Sequence, residues 1–179
     1  MKMRRFFFLF YLIITILTSC NNLDYVCKPE QKVLFECERI NFAWGFFHSG
    51  WFIDSEGYVR AYVKPENWHF PNAYGMIVDT AMFENLVQAD SICMQIDART
   101  LSSKVSLIEQ ASKGELTEPV NEMFDFGAIS YNCYTYDSDK EIYHCFLLDQ
   151  YGDFVIKNKS AAANELYLWL RDITMQIAP

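Results

Sequence analysis

The strongest constraint on what this chain can become is its opening. Lys2, Arg4 and Arg5 precede an apolar run from Phe6 to Leu17 that only Thr15 interrupts. A basic start leading into a short apolar core is the pattern of an export signal. The run is too short for a spanning helix, which needs about 20 apolar residues. The folded body must therefore come from the residues C-terminal to it. Of 179 residues, 19 are set aside and 160 remain. That is the size of one ordinary domain with a proper core. Export also permits disulfides.

The signal ends in Leu17-Thr18-Ser19-Cys20. These four residues resemble the lipobox of bacterial lipoproteins. The resemblance implies that the Cys20 sulfur receives a diacylglycerol, that the bond before it is cut, and that the new amino group is acylated. Three chains would then tie the protein to membrane lipid. One chain holds only marginally, at about 0.8 kcal/mol per buried CH₂. The expected organisation is a signal peptide over 1–19, a lipidated tether over 20–32 and one domain over 33–179. The expected address is the envelope, anchored to a bacterial membrane, the outer membrane being favoured, with the domain in the periplasm or at the cell surface.

Charge narrows the partners. The signal carries three basic residues and no acid, so Lys plus Arg falls from 15 to 12 against 23 Asp plus Glu, a net charge of −11. A phosphate backbone would repel such a chain, and no basic stripe offsets this. Nucleic acid is not an expected partner.

The periodicities alternate between 2 and 3.6. Strands are expected over 33–42, 51–54, 58–63, 92–96, 128–136, 142–148 and 154–157. Asp54-Ser55-Glu56-Gly57 reads as a hairpin turn, with Gly57 supplying a positive φ. A helix is expected over 79–89, with Asp79 as its cap, Val78 and Phe83 as a hydrophobic staple, and Met82, Phe83, Leu86 and Val87 buried. A second helix starts after Asp97 with the stripe Leu101, Val105, Ile108 and Ala111, closed by Gly114. The cleanest amphipathic helix covers 161–177, with Leu166, Trp169, Leu170, Ile173 and Ile177 on one side. Strands, then helices, then strands, then a helix make an α+β fold: an antiparallel sheet of short hairpin-connected strands with helices packed on one face.

The wider sequence resembles uncharacterised lipoprotein domains of Gram-negative bacteria. The carrying residues are Phe42-Ala43-Trp44-Gly45, Gly50-Trp51-Phe52-Ile53-Asp54-x-x-Gly57, 131–137, and Gly152-Asp153 with 158–170. The resemblance implies no particular activity.

Chemistry-bearing motifs are sparse. His48, His69 and His144 form no HExxH, and no P-loop, GxGxxG or GxSxG is present. No cofactor and no metal is expected. His48 or His144 could serve as the base of an anchored hydrolase. His144, however, should point away from Cys145, because adjacent strand residues face opposite sides. The denser feature is aromatic. Eleven of the 33 residues 42–74 are Phe, Trp or Tyr, with Asn41, His48, Asp54, Asn67 and Asn72 among them. Flat apolar rings beside amides and acids suit sugar and peptide sites. Trp44, Trp51 and Trp68 are the candidate ligand face, and a glycan, a peptide or a protein is the expected partner of a non-catalytic binding module.

A disulfide is expected between Cys133 and Cys145. A three-residue loop over 138–140 places them directly opposite one another, at about 4.5–5.5 Å between Cβ atoms. Cys27, Cys37 and Cys93 remain, an odd set whose pairing the sequence leaves open.

Overall fold

The computed structural model describes residues 30–177. Cys20, Cys27 and most of the tether lie outside the described residues. The body is α+β. Nine strands form a mostly antiparallel sheet: β1 (Val33–Asn41), β2 (Phe47–Asp54), β3 (Tyr58–Val63), β4 (Met76–Val78), β5 (Ser91–Gln95), β6 (Val120–Asn121), β7 (Ala128–Asp137), β8 (Ile142–Gly152) and β9 (Phe154–Lys157). The spatial order is β5-β3-β2-β1-β7-β8-β9-β6, and β4 pairs with the start of β8. Helices are α1 (Asp79–Gln88), α2 (Ala98–Val105), α3 (Ile108–Ala111) and α4 (Ala161–Ile177). No described helix is long and apolar enough to cross a membrane.

Alternation along β1 divides the interior in two. Phe35 and Cys37 face α2, α3 and α4, together with Trp51, Ile53, Val59, Tyr131, Cys133 and Leu148. The helix stripes read from sequence, Leu101-Val105-Ile108-Ala111 and Leu166-Leu170-Ile173, close over this face. Phe35 and Trp169 meet edge to face at 5.2 Å. The other face carries Phe52, Tyr62, Tyr134, Tyr136 and Tyr143 under the chain from β3 to α1, including Trp68, Ile77 and Met82. Three helical segments thus share one side, while α1 lies on the other.

Helix α1 departs from its expected pattern. Asp79 is in its first turn rather than at its cap, and Val78 holds the cap position. Val78 and Phe83 are exposed, so there is no staple, and Val87 is exposed too. Met82 and Asn85 are the buried positions. Asn85 can turn inward where an apolar residue is expected because its amide meets backbone partners at His69.

The β7–β8 register corrects the expected disulfide. The loop holds four residues, 138–141, because Asp137 pairs with Ile142. The Asp137 carboxylate accepts from the Asp139 and Lys140 N–H groups at 3.1 and 3.3 Å, and Glu141 takes a positive φ of 54°. One extra loop residue moves every partner from Asp137 to Asn132 by one. Cys133 lies opposite Phe146, and Cys145 opposite Tyr134. Side chains alternate, so Cys133 enters the helix-side cluster and Cys145 packs against the other one. Both thiols are free.

Candidate functional site

The site grows from the non-helical face of the three strands β1, β2 and β3 and their neighbour β7. Glu36 and Glu38 are two apart on β1 and so share a side. Glu36 stands opposite Phe52 on β2 and Asn132 on β7, and Glu38 stands opposite Gly50 and Ser130. Gly50 is opposite Tyr62 on β3. A Cβ at Gly50 would lie 2.2 Å from the Cys37 carbonyl and 2.5 Å from the Tyr62 hydroxyl. The missing side chain at Gly50 is what lets Tyr62 lean across β2 to Glu36.

Glu36 is buried and meets three polar partners: the Tyr134 hydroxyl at 2.5 Å, the Tyr62 hydroxyl at 3.1 Å and the Asn132 amide at 3.4 Å. As donors, these groups favour a charged carboxylate. Burial and the nearby Glu38 oppose them and win, pushing the Glu36 carboxyl up to about 8. At neutral pH Glu36 is therefore mainly protonated.

Glu38 holds His48. The His48 Nε2 and Glu38 Oε1 are 2.9 Å apart, with the imidazole fully buried and the Glu38 side chain 17% exposed. His48 Nδ1 has no hydrogen-bond partner. Rings surround the imidazole: Trp68 at 5.0 Å, Tyr62 and Phe70 at 5.2 Å and Phe46 at 6.0 Å between centroids. Trp68 stacks on Phe52, with the planes 10° apart. Phe46 continues outward to Phe42 at 5.2 Å. An aromatic path thus runs from the protein surface to the Glu36–Glu38–His48 cluster.

The three candidate tryptophans do not form one face. Trp44 is 88% exposed in the loop between β1 and β2. Trp68 is half-buried against His48. Trp51 is buried on the helix side of the sheet, because it stands at an odd step from His48 on the same strand. The sequence spacing held this answer: His48, Gly50 and Phe52 alternate against Ser49, Trp51 and Ile53. His144 is half-buried on β8, its ring beside that of Phe146. Neither His48 nor His144 is hydrogen-bonded to a Ser or Cys side chain among the described residues. No group of three or more His, Cys, Asp or Glu side chains among them is placed so that it could hold a metal ion.

Asn85 and Glu36 carry no mark of their role in the sequence. An Asn in a helix stripe and a Glu inside a strand read as solvated residues. Only the neighbouring elements turn them inward.

Comparison with protein-family models, curated proteins and solved structures finds no match to this chain.

Proposed function

We propose that the protein is a lipid-anchored envelope module that binds a partner through an aromatic end and performs no chemistry of its own. The carrying observation is where its exposed rings lie. Phe42, Trp44 and Phe46, 72%, 88% and 54% exposed, occupy the β1–β2 loop, and Phe124, 84% exposed, precedes β7. Asn41 joins the two loops by donating to the Asp125 and Phe126 carbonyls at 3.0 and 2.8 Å. Apolar rings clustered on loops at one end of a sheet mark an interaction surface rather than a core.

The tether supports the same reading. Anchoring would act through acylated Cys20, and the first strand begins at Val33. Val33 pairs with Asp54, whereas the aromatic loop joins Asn41 to Phe47. The entry point and the rings are therefore at opposite ends of β1, separated by roughly 30 Å of strand. An upright domain directs its rings away from the bilayer, toward a glycan, peptide or protein in the envelope. The burial of His48, which among the described residues has Glu38 and no Ser or Cys as hydrogen-bond partner, favours binding over the hydrolase alternative.

The test has two arms. Cys20→Ala should leave an uncleaved precursor or release the chain from the membrane fraction; a soluble wild-type chain without acyl mass would refute the anchor. Trp44→Ala and Phe124→Ala should melt like wild type yet lose binding on glycan arrays and in envelope cross-linking. Undiminished binding by both variants would refute the aromatic end.

A further inference from the structure

We propose that Arg39, at the helix-side root of the aromatic end, is the seat for a peptide's free carboxy terminus, and that the rings beside it take an apolar last residue. The inference rests on the binding role proposed for the aromatic end and names the chemistry of its partner.

Placement comes first. Phe35, Cys37 and Arg39 are two apart on β1 and share the helix side of the sheet. Arg39 stands opposite Ser49 on β2 and Ile129 on β7. Its guanidinium carbon lies 5.5 Å from the centre of the Phe47 ring and 5.9 Å from that of Phe126. Phe47 opens β2 directly after the loop that carries Trp44. Phe126 ends the loop that carries Phe124, just before β7. Arg39 therefore lies between the bases of the two ring-bearing loops.

Its charge is unanswered. Among the described residues no acid forms an ion pair with Arg39, in a chain with 23 Asp plus Glu against 15 Lys plus Arg. Two neighbouring acids are engaged elsewhere. Glu38 faces the other side of the sheet and holds His48. Asp153 accepts from the Phe126 and Gly127 N–H groups at 2.9 and 3.2 Å. Arg39 is exposed, and the planar fork of its N–H donors matches the two oxygens of a carboxylate. The two rings steady the guanidinium before a guest arrives.

The surroundings select the source of the carboxylate. Asn41, the amide at the loop root, is occupied. Its Nδ2 donates to the Asp125 and Phe126 carbonyls, and its Oδ1 accepts the Ala43 N–H at 2.7 Å. The β1–β2 loop is otherwise Phe42-Ala43-Trp44-Gly45-Phe46, whose one side-chain donor is the Trp44 indole. An acidic sugar would bring several hydroxyls that find few partners here. A peptide terminus asks for one ion pair, and its last side chain lies beside the carboxylate, next to half-buried Phe47 and Phe126.

The experiment uses the detergent-solubilised full-length chain with ¹⁵N-labelled arginine. The probes are N-acetyl-dialanylphenylalanine, the same peptide as its amide, and glucuronate. The acid should move the Arg39 Nε resonance, identified by its loss in Arg39→Lys. It should bind about tenfold or more tightly than either of the others, and less tightly as salt is added. Arg39→Lys keeps the charge without the fork and should weaken the acid, and Arg39→Gln should erase its advantage over the amide, both at an unchanged melting temperature. Equal binding of acid and amide, an unmoved Arg39 resonance, or full binding by Arg39→Gln overturns the proposal. Glucuronate binding as tightly as the peptide acid overturns it too and gives the seat to an acidic sugar. If Trp44→Ala and Phe124→Ala abolish partner binding while the peptide acid leaves Arg39 untouched, the aromatic end stands and the carboxylate seat falls. If the acid moves Arg39 and binds with these preferences while those two variants keep their partner, the seat stands and the aromatic end falls.

Discussion

Asn85 holds both backbone groups of His69: its Oδ1 accepts the His69 N–H at 2.9 Å, and its Nδ2 donates to the His69 carbonyl at 2.7 Å. A single side chain thereby imitates a neighbouring strand. The grip lies between Trp68 and Phe70, the two rings that the β3–β4 connection lays over His48. A second contact, His69 Nε2 to Glu84 Oε2 at 2.6 Å, is exposed and adds little.

Asn85→Ala should therefore loosen the cover more than the sheet. Two backbone groups lose their partner, at a cost of about 1–3 kcal/mol. Urea denaturation would read the loss. Chymotrypsin should also cut faster after exposed Tyr74 in the native variant. Cleavage and stability both equal to wild type would show that the clasp holds nothing.

Glu36 makes stability depend on pH, and the sign comes from the direction of its shift. Its carboxyl is raised from 4.5 to about 8 in the folded protein. Between those values the folded state binds a proton that the unfolded state has lost. Its contribution is thus complete below about 4.5 and disappears as pH climbs through about 8. The slope is on the order of 1 kcal/mol per pH unit. Thermal melts of wild type should fall across this window. Glu36→Gln, which stays neutral and keeps the tyrosine contacts, should show a flatter profile. Parallel profiles for the two proteins would rule out Glu36 as the source.

The thiols give an independent check of the β7–β8 register. Cys133 and Cys145 lie on opposite faces of the sheet and cannot bridge. Burial also pushes the Cys37 and Cys133 thiols up to about 12, so both are poor nucleophiles in the folded state. Cys93 is exposed on edge strand β5. Brief alkylation of the native protein should label Cys93 and spare Cys37, Cys133 and Cys145, whereas all four should react in denaturant. Trypsin digests should release the segments 114–140 and 141–157 separately without reductant. A linked pair would restore the three-residue loop and contradict the register.

The sequence alone determined the order and kind of most elements. Period 2 marked the sheet strands, and period 3.6 marked α2 and α4, because local burial leaves a repeating trace. The Asp54 turn was legible too. Gly57 has a φ of 83°, and the Asp54 Oδ1 accepts from the Glu56 and Tyr58 N–H groups, a geometry set by neighbours in the chain. The lipobox resemblance and the aromatic density likewise needed no fold.

Tertiary structure decided what depends on non-neighbours. Strand β4 is three residues long and exists because β8 offers it an edge. One loop residue separated the expected β7–β8 pairing from the real one, and the period of two converted that slip into opposite faces for Cys133 and Cys145. The same rule sent Trp51 to the helices and His48 to the aromatic cluster, although both lie on one short strand. Glu36, Glu38, Tyr62, Asn132 and Tyr134 come from β1, β3 and β7, up to 98 positions apart in their contacts. A local pattern can show which residues turn inward. Only the pairing of strands selects the donors, acids and rings that meet there.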